Sequence, residues 1–160
     1  MEPILSTKTI FPKNEYHNPG WFIIDATEKT LGRMASEASK ILCGKEKSFF
    51  TPGVNQGNYV VILNADKIKV SGKKEKQKLY RRNSQRPGGL KTETLAQLRK
   101  RLPSRIVEKA IWGMLPKGVL GREYYRRLFV YSTNIIPYKK NLIKNTSSLS
   151  LDKAWVDIAL

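Results

Sequence analysis

Cysteine and histidine each occur once in this 160-residue chain, as Cys43 and His17. A lone cysteine excludes an internal disulfide framework, and one residue of each kind cannot build a Cys/His zinc module. Cys43 reads as a small hydrophobe near a helix end. His17 lies in a polar leading segment, where nothing marks it as a general base. No run approaches the roughly 18 apolar residues needed to span a bilayer. The best amphipathic segment carries both signs of charge and no aromatic anchors, unlike an interfacial helix. The opening residues MEPILSTKTIF lack both the basic start and apolar run of a secretory signal and the Arg-rich character of a transit peptide. No internal repeat is evident. Acidic residues are also scarce: Asp plus Glu number 13 against 30 for Lys plus Arg, a formal net charge of +17.

That last deficit frames the question of function. Small soluble domains usually carry a net charge of magnitude about 2–8. Like charges at this density repel and cost stability, so the excess points to a polyanionic partner. RNA, DNA and an anionic membrane surface are the polyanions to weigh, and the absences above argue against membrane. The charge is also concentrated. Residues 67–91 hold ten basic residues and one acidic, Glu75, while residues 99–127 hold nine basic and two acidic. Such runs favour a binding surface over general solubility.

Hydrophobic residues make up 40% of the chain, enough for one domain with a core of its own. WFIID (21–25) and YVVIL (59–63) are almost wholly apolar, the pattern of strands buried on both faces in a parallel sheet covered by helices. LFVY (128–131) predicts a last strand. Leu31, Met34, Ala35, Ala38, Ile41 and Leu42 recur at helical spacing with Arg33, Glu37 and Lys40 opposite, and Gly44 ends the helix. Strand, short link and long helix form the first half of a βαβ unit. Leu95, Leu98 and Leu102 predict a helix capped by Thr92 without a capping box and stopped by Pro103. Ile106, Val107, Ala110, Ile111 and Met114 predict another, capped by Ser104. The chain divides into an arm (1–20), a body (21–131) and a tail (132–160).

The run 67–91, which holds a turn at Gly72, room for two short strands and a bend at residues 86–89, carries the strongest functional pattern. Lys73, Lys74 and Lys91 supply mobile point charges, whereas Arg81, Arg82 and Arg86 can grip phosphate with forked donors. Tyr80 can stack on a base, pack under the arginines or simply belong to the core. Gly88 and Gly89 let backbone approach backbone with amides free to meet an oxygen, and Pro87 stiffens the approach. The plainer alternative is a cationic loop whose glycine pair is only a turn. Arg122, Arg126 and Arg127 surround Tyr124 and Tyr125. On a helix 122 and 126 share a face with 127 near it, giving a basic stripe whose tyrosines pack inward.

Enzyme signatures are thin. Gly72-Lys73-Lys74 lacks the upstream glycine and hydroxyl residue of a Walker loop, and no GxGxxG follows the first strand. Asp25 and Asp66 each follow a strand, where α/β sites form. Without a third group, each reads as a turn or cap carboxylate, or as a partner for Arg33. No catalysis, metal or cofactor is expected. Trp21 and Trp112 read as core. Trp155, in the tail, reads as an anchor for protein or RNA.

Four long pieces, in order, carry a family resemblance: WFIIDATEKTLGRMAS (21–36), FTPGVNQGNYVVILNADKIKVSGKK (50–74), KLYRRNSQRPGGLK (78–91) and EKAIWGMLPKGVLGR (108–122), closed by Phe129-Val130-Tyr131. Together they resemble the ribosomal large-subunit protein thirteen family of the bacterial and plastid type. The resemblance implies a three-layer α/β/α domain around a small, mostly parallel sheet. It implies a non-catalytic component that binds large-subunit ribosomal RNA, touches neighbouring ribosomal proteins and helps the subunit assemble. The family's Arg-rich loop falls on Tyr80, Arg81, Arg82, Arg86, Pro87, Gly88 and Gly89. Its GMLPK turn falls on Gly113, Met114, Leu115, Pro116 and Lys117, followed by Leu120, Gly121 and Arg122. Asn83 stands where the family usually has histidine, and still donates and accepts hydrogen bonds. After Tyr131 the chain departs from the family's His-, Pro- and Gln-rich ending, so the tail's contacts do not transfer. The pieces 21–36 and 78–91 look plastid-like or cyanobacterial, which implies a ribosome of the plastid stroma.

Overall fold

The computed structural model describes residues 19–48 and 50–135. His17 with most of the arm, and Trp155 with most of the tail, lie outside those residues. Five strands and five helices follow in order: β1 (Trp21–Asp25), α1 (Leu31–Cys43), β2 (Tyr59–Leu63), α2 (Lys74–Gln77), β3 (Leu79–Asn83), β4 (Leu90–Thr94), α3 (Leu95–Arg101), α4 (Pro103–Met114), α5 (Val119–Arg126) and β5 (Leu128–Val130). A 3-10 turn, Ala65–Lys67, follows β2.

The sheet is small and parallel, in the order β1-β2-β5, with Trp21 opposite Tyr59 and Val60 opposite Leu128. β1, α1 and β2 complete the βαβ unit that the alternation predicts, and the α/β class is as expected. Pleating sends alternate residues to opposite faces. On one face Ile24, Val60 and Ile62 join a buried cluster with Met34, Ala35, Ala38 and Leu42 of α1 and Ile106, Val107 and Ile111 of α4. Each fully buried Val, Leu, Ile or Met side chain in this cluster contributes roughly 1.5–3 kcal/mol. On the other face Trp21 stacks on Tyr59 with centroids 4.3 Å apart and on Phe129 at 5.8 Å. Val61, on that same face, is fully buried. Both faces are apolar, which is why these strands show no polar alternation.

Helix α1 ends as its glycine predicts. Gly44 has φ +76°, its N–H donates to the Ile41 carbonyl, and Lys45 N–H donates to Lys40. This paired closure needs a left-handed residue. The next two boundaries correct the sequence reading. Thr92 lies within β4, and the cap of α3 is Thr94, whose hydroxyl accepts from Gln97 N–H while the Gln97 side chain accepts from Thr94 N–H. A capping box is therefore present, displaced by two residues because the strand runs on into the helix. Pro103 opens α4 as well as closing α3, and Ser104 is not its cap. Proline suits the first helical position, where its missing N–H would have no partner.

β3 and β4 pair antiparallel in a two-stranded sheet separate from the β1-β2-β5 sheet. Its base is pinned by Leu95 N–H donating to the Lys78 carbonyl. Arg99 fastens the region ahead of it, pairing with Glu75 at 3.1 Å and donating to the Ile68 carbonyl.

Candidate nucleic-acid interface

The run that the sequence marks as an Arg-rich loop is a hairpin. Arg81 faces Thr92, Arg82 faces Lys91, and Asn83 faces Leu90. Alternation puts Tyr80, Arg82, Lys91 and Glu93 on one face and Arg81 on the other. Arg81 and Arg82 therefore cannot close on one phosphate together, as adjacent residues in a loop would. Arg82 and Lys91 instead form a cross-strand pair of like charges, which is unfavourable in isolation. Both are exposed. Glu93, diagonal to Arg82, is already held by Arg101 at 2.7 and 3.0 Å. Among the described residues no ion pair involves Lys73, Lys74, Arg81, Arg82, Arg86 or Lys91.

The two strands are joined through a turn at residues 86–89. Gly89 N–H donates to the Arg86 carbonyl at 2.9 Å, and Gly88 has φ +71°. Proline second and a left-handed glycine third make a type II turn. Gly89 has a different reason to be glycine: a Cβ there would lie 2.0 Å from Ser84 Oγ and 2.9 Å from the Arg86 carbonyl. Its amide is spent inside the turn, so it is not free for an external oxygen. The turn holds Arg86 exposed at the hairpin tip.

Tyr80 takes its core reading. It packs against the core, and burial pushes its phenol pKa up. The ammonium groups of Lys78 and Lys109 sit 5.5 and 5.3 Å from its ring centroid. The ring is thus covered by lysines rather than lying under arginines or open to a base.

Arg122 and Arg126 are exposed on α5, while Gly121 and Tyr124 turn inward, as the stripe reading expects. Arg127 lies just beyond the helix and is placed differently. It is half-buried, donates to the Gly57 carbonyl and lies over the Tyr59 ring, 5.5 Å from its centroid. Lys117 closes the end of α4, donating to the Trp112 carbonyl at 2.9 Å. Of the candidates, the hairpin set and the α5 pair present free cationic surface, whereas Arg127 and Lys117 are tied to the fold.

Of the two carboxylates that follow strands, Asp66 is exposed in the 3-10 turn after β2, and Asp25 is held by its neighbours. Asp25 accepts from Thr27 N–H, the Thr27 hydroxyl and the Asn64 amide at 2.7–3.0 Å. Burial pushes its pKa up, but these hydrogen bonds and the Lys29 charge outweigh it, leaving the carboxyl below its ordinary value. Asp25 is a turn carboxylate whose partners are Thr27 and Asn64, not Arg33. Cys43 is buried, which raises its thiol pKa, as befits an inert small hydrophobe. Among the described residues no group of three His, Cys, Asp or Glu could hold a metal, and no helix is long and apolar enough to cross a membrane.

Sequence reading missed Lys69, Lys78 and Lys109, which the fold brings to one cleft with Lys74. Their charge was visible in the two basic runs; the long-range pairing of residue 78 with residue 109 was not.

A parallel α/β body bearing an exposed cationic hairpin defines a basic α/β class of domain. Comparison with known proteins makes this specific. The family model for Ribosomal protein L13 matches residues 19–137. A "Large ribosomal subunit protein uL13" from Crocosphaera subtropica is 53% identical over 125 residues, covering 78% of this chain and 83% of that protein. The protein of the same name from Synechococcus sp. (strain CC9311) is 50% identical over 147 residues, covering 92% and 96%. That from Prochlorococcus marinus is 53% identical over 131 residues, covering 82% and 87%. The chain belongs to the ribosomal protein L13 family and is a structural protein, not an enzyme.

Proposed function

We propose that this member of the family binds large-subunit ribosomal RNA through the β3–β4 hairpin and the exposed arginines of α5, and that it thereby supports assembly of the subunit. Its place as a structural constituent of the large ribosomal subunit, beside other ribosomal proteins, follows from the family. The observation that carries the RNA contact is the Arg82–Lys91 cross-strand pair. Two cations are held side by side on an exposed strand pair, with the one nearby carboxylate already bound to Arg101. Phosphate oxygens relieve that repulsion, and displaced counterions add a salt-dependent driving force. Arg81 on the opposite face and Arg86 at the tip let the hairpin meet RNA from both sides. This suits recognition by shape and backbone, since the major groove of an RNA helix is too narrow to read.

Replacing Arg81 and Arg82 together with alanine tests the assignment. Binding to large-subunit RNA should weaken, and the slope of log affinity against log salt should fall by about 0.7–0.9 for each phosphate lost. Unchanged affinity and slope refute the hairpin as a contact.

The body (21–131) is read as the RNA-binding unit, with the arm and tail as extensions that meet other neighbours. We also place this ribosome in the plastid stroma, a reading supported by similarity to cyanobacterial proteins. Recovery of the chain from ribosomes of purified chloroplasts tests that reading, and its recovery only from ribosomes elsewhere overturns it.

A further inference from the structure

Among the described residues, helices cover the parallel sheet on one face only. The buried apolar side chains of α1, α3, α4 and α5 belong to one cluster with Ile24, Val60 and Ile62, and α2 buries none. Trp21, Ile23, Tyr59, Val61, Leu63 and Phe129 alternate onto the opposite face. None of them joins that cluster or packs against it. Trp21, Ile23 and Tyr59 are half-buried, and Phe129, in the row of stacked rings, is 36% exposed. Parallel sheets are covered on both faces, so this face lacks a layer. The chain carries a segment that matches it. Beyond the edge strand β5, Ala65 N–H donates to the Tyr131 carbonyl and Asn64 N–H to that of Thr133, so the chain leaves the sheet beside Leu63. In the residues that follow, Leu151, Ala154, Trp155 and Ile158 recur at i, i+3, i+4 and i+7, with Asp152, Lys153 and Asp157 off that stripe. As a helix, residues 149–160 would be about 18 Å long, and the five-residue strands are about 17 Å. Residues 136–148 reach about 43 Å when extended, more than the sheet to be crossed. Arg127, over the Tyr59 ring, sets a cation at the rim of the face, complementary to Asp152 and Asp157. The arm matches less well. Its Ile4, Leu5, Ile10 and Phe11 lie between Pro3 and Pro12, and every residue from 6 to 9 is polar.

We propose that residues 149–160 form an amphipathic helix that docks on this second face of the sheet and supplies its missing layer. Running back from the end of β5, the helix lays Trp155, at its middle, over Val61 and Phe129. Leu151 then lies towards Leu63, and Ile158 towards Tyr59. The last segment of the tail has its partner in the body, which leaves residues 136–148 and the arm to meet other neighbours. The docking needs no RNA.

A double-mutant cycle between Trp155→Ala and Phe129→Ala, in the full chain without RNA, tests this by urea unfolding. Each single variant should lower the urea midpoint by about 0.5–1 M, the loss of one large apolar contact. The double variant should fall no further than the worse single one. Trp155 lies outside the body (21–131), so its variant still decides the matter if Phe129→Ala fails to fold. A chain ending at Ser148 should lose at least as much as Trp155→Ala. Parent-like midpoints in Trp155→Ala and in the shortened chain overturn the docking. Additive losses in the cycle also overturn it, because they place the two rings apart. Sedimentation equilibrium tests a second copy as the occupant: a dimer lost in Phe129→Ala but kept in the shortened chain refutes the proposal. A photo-crosslinker at position 129 tests a ribosomal neighbour. Capture of residues 149–160 supports the docking, and capture of another molecule alone, in assembled large subunits, refutes it.

Discussion

Arg82→Glu should make the free protein more stable and a worse RNA binder. Arg82 stands directly across from Lys91, so the substitution turns a like-charge pair into an opposite-charge one. Cross-strand pairs of either kind are worth roughly 0.2–1 kcal/mol. Reversing the sign therefore gains something near the upper end of that range. The diagonal neighbour Glu93 would reduce the gain were it free, but Arg101 holds it at 2.7 Å. Both groups of the pair are exposed and screened, so a net stabilisation of about 0.5–1 kcal/mol is reasonable. In a domain of this size that raises the melting temperature by about 1–4 °C. Binding moves the other way. Losing one phosphate contact costs about sixfold at 0.1 M salt, and the new carboxylate repels the strand further, so more than tenfold is expected. Thermal melting by circular dichroism and filter binding on transcribed large-subunit RNA read the two effects on one preparation. A lower melting temperature, or unchanged RNA affinity, refutes the view that Arg82 is kept for its partner at a cost to the fold.

Three further outcomes follow from the same geometry. Thr94→Ala removes the capping box of α3 and should destabilise the protein by about 1 kcal/mol, read as a lower urea midpoint; an unchanged midpoint removes the cap from the account. Gly89→Ala places a methyl group against Ser84 and the Arg86 carbonyl, so the hairpin tip must open. RNA affinity should fall several-fold while the far-ultraviolet spectrum of the body is kept, and parent-like affinity would show that the turn does not position Arg86. Asp25 has a folded pKa below its ordinary value of 3.8, so its stabilising effect is present above that value and is lost as pH falls through the folded one. Asp25→Asn should therefore lower the melting temperature at pH 7, with the gap to the parent closing as pH falls below 3.8 and through the lowered folded value. A gap independent of pH contradicts the assignment.

The body was legible because its signals are local. Two apolar runs, one helical stripe and a terminal glycine suffice for β1, α1 and β2, and strand alternation with a helix predicts a parallel sheet. The helix boundaries near Thr94 and Pro103 were not legible, because β4 passes into α3 without a loop and proline both stops and starts helices. The site was half legible. Charge density marks residues 67–91, but residues that look adjacent in a loop diverge once the strands pair, as Arg81 and Arg82 do. Arg127 shows the opposite failure. It belongs to a basic stripe by spacing, yet the carbonyl and ring that occupy it are Gly57 and Tyr59, from a distant part of the chain. The approach of Lys109 to the Tyr80 ring is a long-range contact that no local pattern in the sequence shows.

Sedimentation of native ribosomes through sucrose, with this chain followed by mass spectrometry at low and moderate salt, tests the central claim most directly. The account predicts one copy per large subunit, present in free subunits and intact ribosomes and retained at moderate salt. Recovery of the chain only in the light fractions would contradict it.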